Sequence, residues 1–363
     1  MNQSKNTIRN LFNLLFLLLV LECASSKMNP SMKLLNRPIR KFELPELDHI
    51  KELAKTEDDL VKIDVIGEVT HEGVTYPIHS FTLGTQDTSR PTIGLFGGVH
   101  GLERVGTQVV LSYLTSTLAQ LKWDKDLRRT LEKARICSVP LINPVGMSLH
   151  SRCNGNGIDL MRNSPVEADP ETTYPLLSGH RIGDWLPWYR GEVEKEMEIE
   201  AQAVVNFVVD QIFKADTAIT IDFHSGFGMK DRLWYPYAKS KEPFPDTPAI
   251  HKIVEKLEET LPHHVYKIET QSDSYTTHGD LWDYLYDMHK NTPGSEDKLY
   301  LPWTLEMGSW AWMKKNPLQA FSKSGFFNPI KEHRVSRIMR RHLLLIDFFF
   351  RMTRNRKAWR YEI

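Results

Sequence analysis

The sequence predicts an α/β fold in a single domain, a mixed and mostly parallel sheet with helices on both faces. Two observations carry this expectation. Short buried-type apolar runs alternate with longer segments of helical apolar spacing, in the strand, helix, strand order of α/β chains. Three groups of chemistry-bearing residues, at His100, His224 and Glu306, also stand directly after such runs, and open α/β sheets place ligand sites at the carboxyl ends of their strands.

The elements follow in order. Residues 44–60 have helical spacing, and 61–69 with 74–83, joined by Glu72 and Gly73, read as a hairpin. Residues 91–96 form a short strand running into Gly97 and Gly98. Helices are predicted at 104–122 and 125–133, then a strand at 134–143. Residues 144–191 form an irregular stretch too long for a plain connector, which points to a functional segment. Its Trp185, Trp188 and Tyr189 have two readings, as residues that line a pocket and as aromatic residues that pack the segment down, and the second is the commoner role. A helix at 194–213, a strand at 217–223, a helix at 247–261, a strand at 303–307 and a helix at 331–350 complete the domain.

The chain divides into residues 1–26, 27–43 and 44–363. In the first part Lys5 and Arg9 precede the apolar run from Leu11 to Leu21, and Ala24, Ser25 and Ser26 follow it. That is the pattern of a secretory signal peptide, and the run is about half of the ~20 residues a spanning helix needs. An exported protein, periplasmic or secreted and without a stable membrane span, is therefore expected. The second part is a polar, proline-spotted leader and the third is the folded domain with the strands and helices above. Cys137 and Cys153 read either as one disulfide in an oxidising compartment or, for Cys137 in its apolar run, as a buried core residue.

Lysine plus arginine equals aspartate plus glutamate, 46 against 46, so no overall field draws in nucleic acid. Charge selectivity must be local. The sequence Gly97-Gly98-Val99-His100-Gly101-Leu102-Glu103 sets an imidazole and a carboxylate three residues apart beside a glycine turn, and Asp222-Phe223-His224 supplies a second imidazole. Two histidines and one carboxylate with an open position form a catalytic zinc arrangement; a structural zinc would ask for thiolates that this chain does not offer. One Zn2+ ion is expected. Glu306, in Thr304-Leu305-Glu306, is the spare carboxylate for a general base.

At these residues the chain resembles the zinc carboxypeptidase family, in order from about Pro91 to Trp310. The family's metal motif is similar to His100, Glu103 and His224. Its Asn-Pro-x-Gly turn resembles Asn143, Pro144 and Gly146, and its arginine segment resembles 152–163; Leu233-Trp234-Tyr235-Pro236-Tyr237 is also familial. The resemblance implies that Arg152 stabilises the oxyanion, Arg162 receives a terminal carboxylate, Asp159 fixes the tautomer of His100, and Tyr275 closes over substrate. It departs at Met161, where the family usually has Asn, and at Met307-Gly308 after the base.

The expected function is a metallocarboxypeptidase acting on peptide or cell-wall peptide substrates. Two other readings stand beside it: a murein peptide amidase or N-acyl amino acid deacylase using the same metal site, and a catalytically silent peptide-binding protein.

Overall fold

A computed structural model describes residues 44–321 and 325–359. The predicted signal peptide and leader lie outside the described residues.

The elements are α1 (Pro45–Leu53), β1 (Val61–His71), β2 (Val74–Gly84), β3 (Thr92–Gly97), α2 (Arg104–Leu121), α3 (Lys125–Leu131), β4 (Arg135–Val139), α4 (Pro144–Leu149), α5 (Ile199–Gln211), β5 (Thr217–Ser225), β6 (Arg232–Tyr235), α6 (Thr247–Thr260), β7 (Lys267–Thr270), α7 (Leu281–Lys290), β8 (Leu299–Met307), α8 (Trp310–Lys315) and α9 (Glu332–Arg354). Among the described residues, eight strands form one sheet in the order β1-β2-β4-β3-β5-β8-β6-β7. The run β4-β3-β5-β8 is parallel, as is β6 with β7, while β1 with β2, β2 with β4 and β8 with β6 are antiparallel. The predicted α/β domain with its mixed sheet is therefore the observed one.

The central strands β3, β5 and β8 are buried along their whole length, as parallel strands covered on both faces must be. Alternation assigns the faces. Phe96, level with Asp222, meets Phe207 of α5 and Trp282 of α7, whereas Trp303, one step out of phase with Thr304, meets Phe349 of α9. Helices α2 and α9 pack together over β3 and β5 on that second face. After β3 the chain crosses to β4 on one side and later returns to β5 on the other, so the order reverses between β3 and β5. A crevice opens at such a point beyond the strand ends.

Several boundaries differ from expectation for local reasons. Helix α1 stops at Leu53, and the rest of the predicted run does not continue it: Asp58 forms a turn with the Leu60 N–H and binds Arg128. Helix α5 starts at Ile199 rather than at 194: Glu194 has φ +69°, and Glu198 accepts from Asn154 and Asn156 while its N–H donates to Asn163. Strand β8 begins at Leu299, four residues early, through Pro302. That proline is tolerated because β6 pairs only with Thr304 to Glu306, leaving Pro302 one bonded neighbour. Strands β6 and β7, of four residues each, and helix α7 were not predicted as elements. Cys137 carries a free, buried thiol in β4, so the reading as a core residue holds and the pairing with Cys153 is not formed.

Candidate active site

Three parallel strands deliver the metal-type residues to one place. His100 lies just past the end of β3, His224 near the end of β5, and Glu306 near the end of β8, where the β5–β8 register sets it directly beside His224. Glu103 precedes the first residue of α2. That helix starts close against β5: a Cβ on Gly106 would lie 2.1 Å from the carbonyl oxygen of Phe223, so only glycine fits. Asn328, distant in sequence, braces the intervening loop by donating to Leu102 O (2.7 Å) and accepting from Val105 N–H (2.9 Å).

One ligand atom from each of His100, Glu103 and His224 lies within 4.8 Å of the others. His100 Nδ1 is 2.9 Å from Glu103 Oε1 and His224 Nδ1 is 3.0 Å from Glu103 Oε2, while the Ser225 N–H donates to that second oxygen at 2.9 Å. A carboxylate can only accept, so a proton or a cation must lie between it and each ring nitrogen. On the far side of the rings, His100 Nε2–H donates to Asp159 (3.0 Å) and His224 Nε2–H donates to Asp222 (2.7 Å). Both imidazoles are thus held in the tautomer that leaves Nδ1 for an ion. Among the described residues the surroundings hold five carboxylates, Glu103, Asp159, Asp222, Asp280 and Glu306, against two guanidinium groups, Arg152 and Arg162. A dication reduces that excess, and an N2O donor set suits zinc.

Electrostatics agree. Burial pushes the Glu103 carboxyl up, but His100 and His224 outweigh it and hold it below the usual range. Burial pushes His224 down, and Asp222 with Glu103 carry it well above the ordinary value. Glu306 is pushed up to about 8, by burial foremost and then by the Glu103 charge, with its Oε1 accepting from the Phe227 N–H at 2.9 Å.

Residues 47–327 match the sequence model of the zinc carboxypeptidase family. The chain belongs to that family. Among solved structures of this fold, bovine thrombin-activatable fibrinolysis inhibitor in complex with tick carboxypeptidase inhibitor is 18% identical, with a TM-score of 0.61, covering 84% of this chain and 94% of that one. Carboxypeptidase A from Helicoverpa armigera is also 18% identical, TM-score 0.60, covering 97% and 81%. Carboxypeptidase SOL1 of Arabidopsis thaliana is 30% identical over 82 residues, 23% of this chain, and the match spans 17% of that relative's length.

The other family-type residues lie in the same cleft. Arg152 donates through Nε to Asp159 (2.8 Å) and reaches Glu103 at 3.5 Å. Arg162 is buried, donates to the carbonyl oxygens of Met161 and Leu177, leaves Nε without a partner, and has no carboxylate paired with it among the described residues. Tyr275 lines the cleft between Phe227 and Trp234, at ring distances of 5.8 and 6.0 Å. Trp188, for which the sequence favoured loop packing over pocket lining, also faces the cleft, within an apolar cluster of Leu102, Trp310, Phe326 and Phe327. Sequence reading missed Asn328, whose role shows only once residues more than two hundred positions apart meet; it also gave no role to Asp222, although its place two residues before His224 signalled a shared face.

Proposed function

We propose that this protein is a zinc-dependent metallocarboxypeptidase that hydrolyses the C-terminal peptide bond of its substrate. The observation that carries the reading is Arg162. A buried guanidinium with an unpartnered Nε and, among the described residues, no carboxylate in a direct ion pair with it, opening on the same cleft as the three-donor cluster, suits an anionic group on the substrate.

His100, Glu103 and His224 would hold the zinc, which supplies a Lewis acid and lowers the pKa of water. Arg162 binds the terminal carboxylate and fixes which bond lies over the donor cluster. Arg152, tethered by Asp159, turns its remaining N–H groups to the scissile carbonyl oxygen as negative charge develops there. Glu306 takes a proton from the attacking water and passes it to the leaving amine, so one water is consumed as the C–N bond breaks. Tyr275 closes one side of the cleft. A general base contributes about 10²–10⁴ in rate, so Glu306→Gln should lose turnover by that factor with zinc still bound. Activity retained in that variant would remove Glu306 from the role.

Met161 favours a second reading with the same metal site and base. It is buried in the cleft wall beside Arg162 and its side chain offers no donor to a carboxylate, which suits a murein peptide amidase whose substrate lacks a terminal carboxylate at that point. We place the protein outside the cytoplasm, on the strength of the basic and apolar N-terminal sequence with its small-residue end.

A further inference from the structure

Asp222 is wholly buried, and its Oδ2 accepts two hydrogen bonds: from His224 Nε2–H at 2.7 Å and from the indole Nε1–H of Trp282 at 2.9 Å. Among the described residues its second oxygen has no hydrogen-bond partner. Among the described residues its one ion-pair partner is His224. The histidine on the other side of the cluster is held differently, because Asp159 takes its own support from a cation, Arg152.

Trp282 is itself fixed on two sides. Its ring packs on Phe96 at the end of β3, with centroids 4.8 Å apart, and it occupies the first turn of α7, capped by Asp280. Gly279 just before that turn lies so close to Arg162 that a Cβ there would meet the Arg162 carbonyl oxygen at 1.9 Å. The start of α7 therefore touches both the backbone of the anion-binding arginine and, through Trp282 and Asp222, one imidazole of the donor cluster.

We infer that Asp222 and Trp282 act as a positioning pair for His224. Asp222 holds the ring in the Nε2–H tautomer with Nδ1 turned to Glu103, and Trp282 keeps the carboxylate aimed at the ring. Because an indole N–H is neutral, Asp222 keeps its full negative charge against the imidazole and raises its strength as a ligand, whereas Arg152 offsets the charge of Asp159. The two histidines thus differ in ligand strength by the charge of what stands behind their supporting carboxylates. The inference rests on the three donors holding a metal ion.

The test is zinc affinity of the full chain by competition with a chromophoric chelator, read beside the denaturant midpoint of the metal-free protein and the ¹⁵N ring shifts of His224. Loss of such a supporting partner costs about 10- to 100-fold in metal affinity. Asp222→Asn should weaken zinc by that factor and shift the His224 ring signals away from the Nε2–H pattern. Trp282→Phe retains the ring on Phe96 and should weaken zinc by a smaller factor in the same direction. The double variant should be no weaker than Asp222→Asn alone, because Trp282 acts through Asp222. Zinc affinity within about twofold of wild type in either single variant, or losses that multiply in the double, would overturn the inference. Should Asp222→Asn fail to fold, Trp282→Phe decides alone by the same criterion. A wild-type protein that binds no zinc would instead contradict the metal reading itself.

Discussion

Replacing Asn328 by alanine tests how the loop that carries Glu103 is held. The side chain is 8% exposed and closes two hydrogen bonds, to Leu102 O at 2.7 Å and from Val105 N–H at 2.9 Å, on either side of the glutamate. Both backbone groups belong to residues that are at most 1% exposed, so alanine leaves a donor and an acceptor buried without partners. Each such orphan costs about 1–3 kcal/mol, and water entering the space vacated by the amide recovers part of it, giving a net loss of about 3 kcal/mol. The denaturant midpoint of the metal-free variant, at unchanged slope, measures this directly. Zinc affinity should fall with it, by about tenfold, because a loosened Glu103 no longer meets both imidazoles in one geometry. A midpoint shift worth less than about 0.5 kcal/mol would refute the clamp, since that is the range of ordinary surface substitutions.

Three further outcomes are expected. Arg162→Ala should reduce kcat/KM on a peptide with a free C-terminus by about 10- to 100-fold, the value of a charge-assisted hydrogen bond of about 1.5–3 kcal/mol, and should leave an amidated peptide almost unaffected; equal losses on both would remove Arg162 from carboxylate binding. Burial holds His342 down at about 4, against the ordinary 6.5, so the folded protein refuses a proton that the unfolded chain accepts. Stability is then full above pH 6.5 and falls as the pH drops towards 4, by about 3 kcal/mol from this group, and His342→Gln should show that much less acid sensitivity when denaturant midpoints at pH 7 and pH 4 are compared in chelator. With His224 raised and Glu306 at about 8, zinc binding at pH 7 should expel about one to two protons and tighten as pH rises, read by calorimetry in buffers of different ionisation enthalpy; binding independent of pH would contradict the assigned donors.

The metal-type residues were legible because their strand positions are written in the sequence. Short, mostly apolar runs marked β3, β5 and β8, and the alternation of Asp222 with His224 and of Thr304 with Glu306 put those pairs on shared faces. Short elements were not legible. Strands β6 and β7 have four residues each, at the lower limit of the length at which alternation is informative. Helix α7 did carry a signal, Asp280 as a cap before Leu281, Leu285 and Tyr286 at helical spacing, and its absence from the prediction hid the Trp282 contact with Asp222. For Trp188 the sequence offered both loop packing and pocket lining and favoured the first, since its place in the cleft depends on meeting Phe326 and Phe327 from the far end of the chain.

The most direct measurement of the central claim is mass spectrometry of a peptide and its C-terminally amidated twin after incubation with the zinc-loaded protein, with and without a chelator. Loss of the terminal residue from the free peptide alone, abolished by the chelator, is the predicted result. Cleavage of both peptides alike, or of neither by a protein shown to hold one zinc ion, would contradict it.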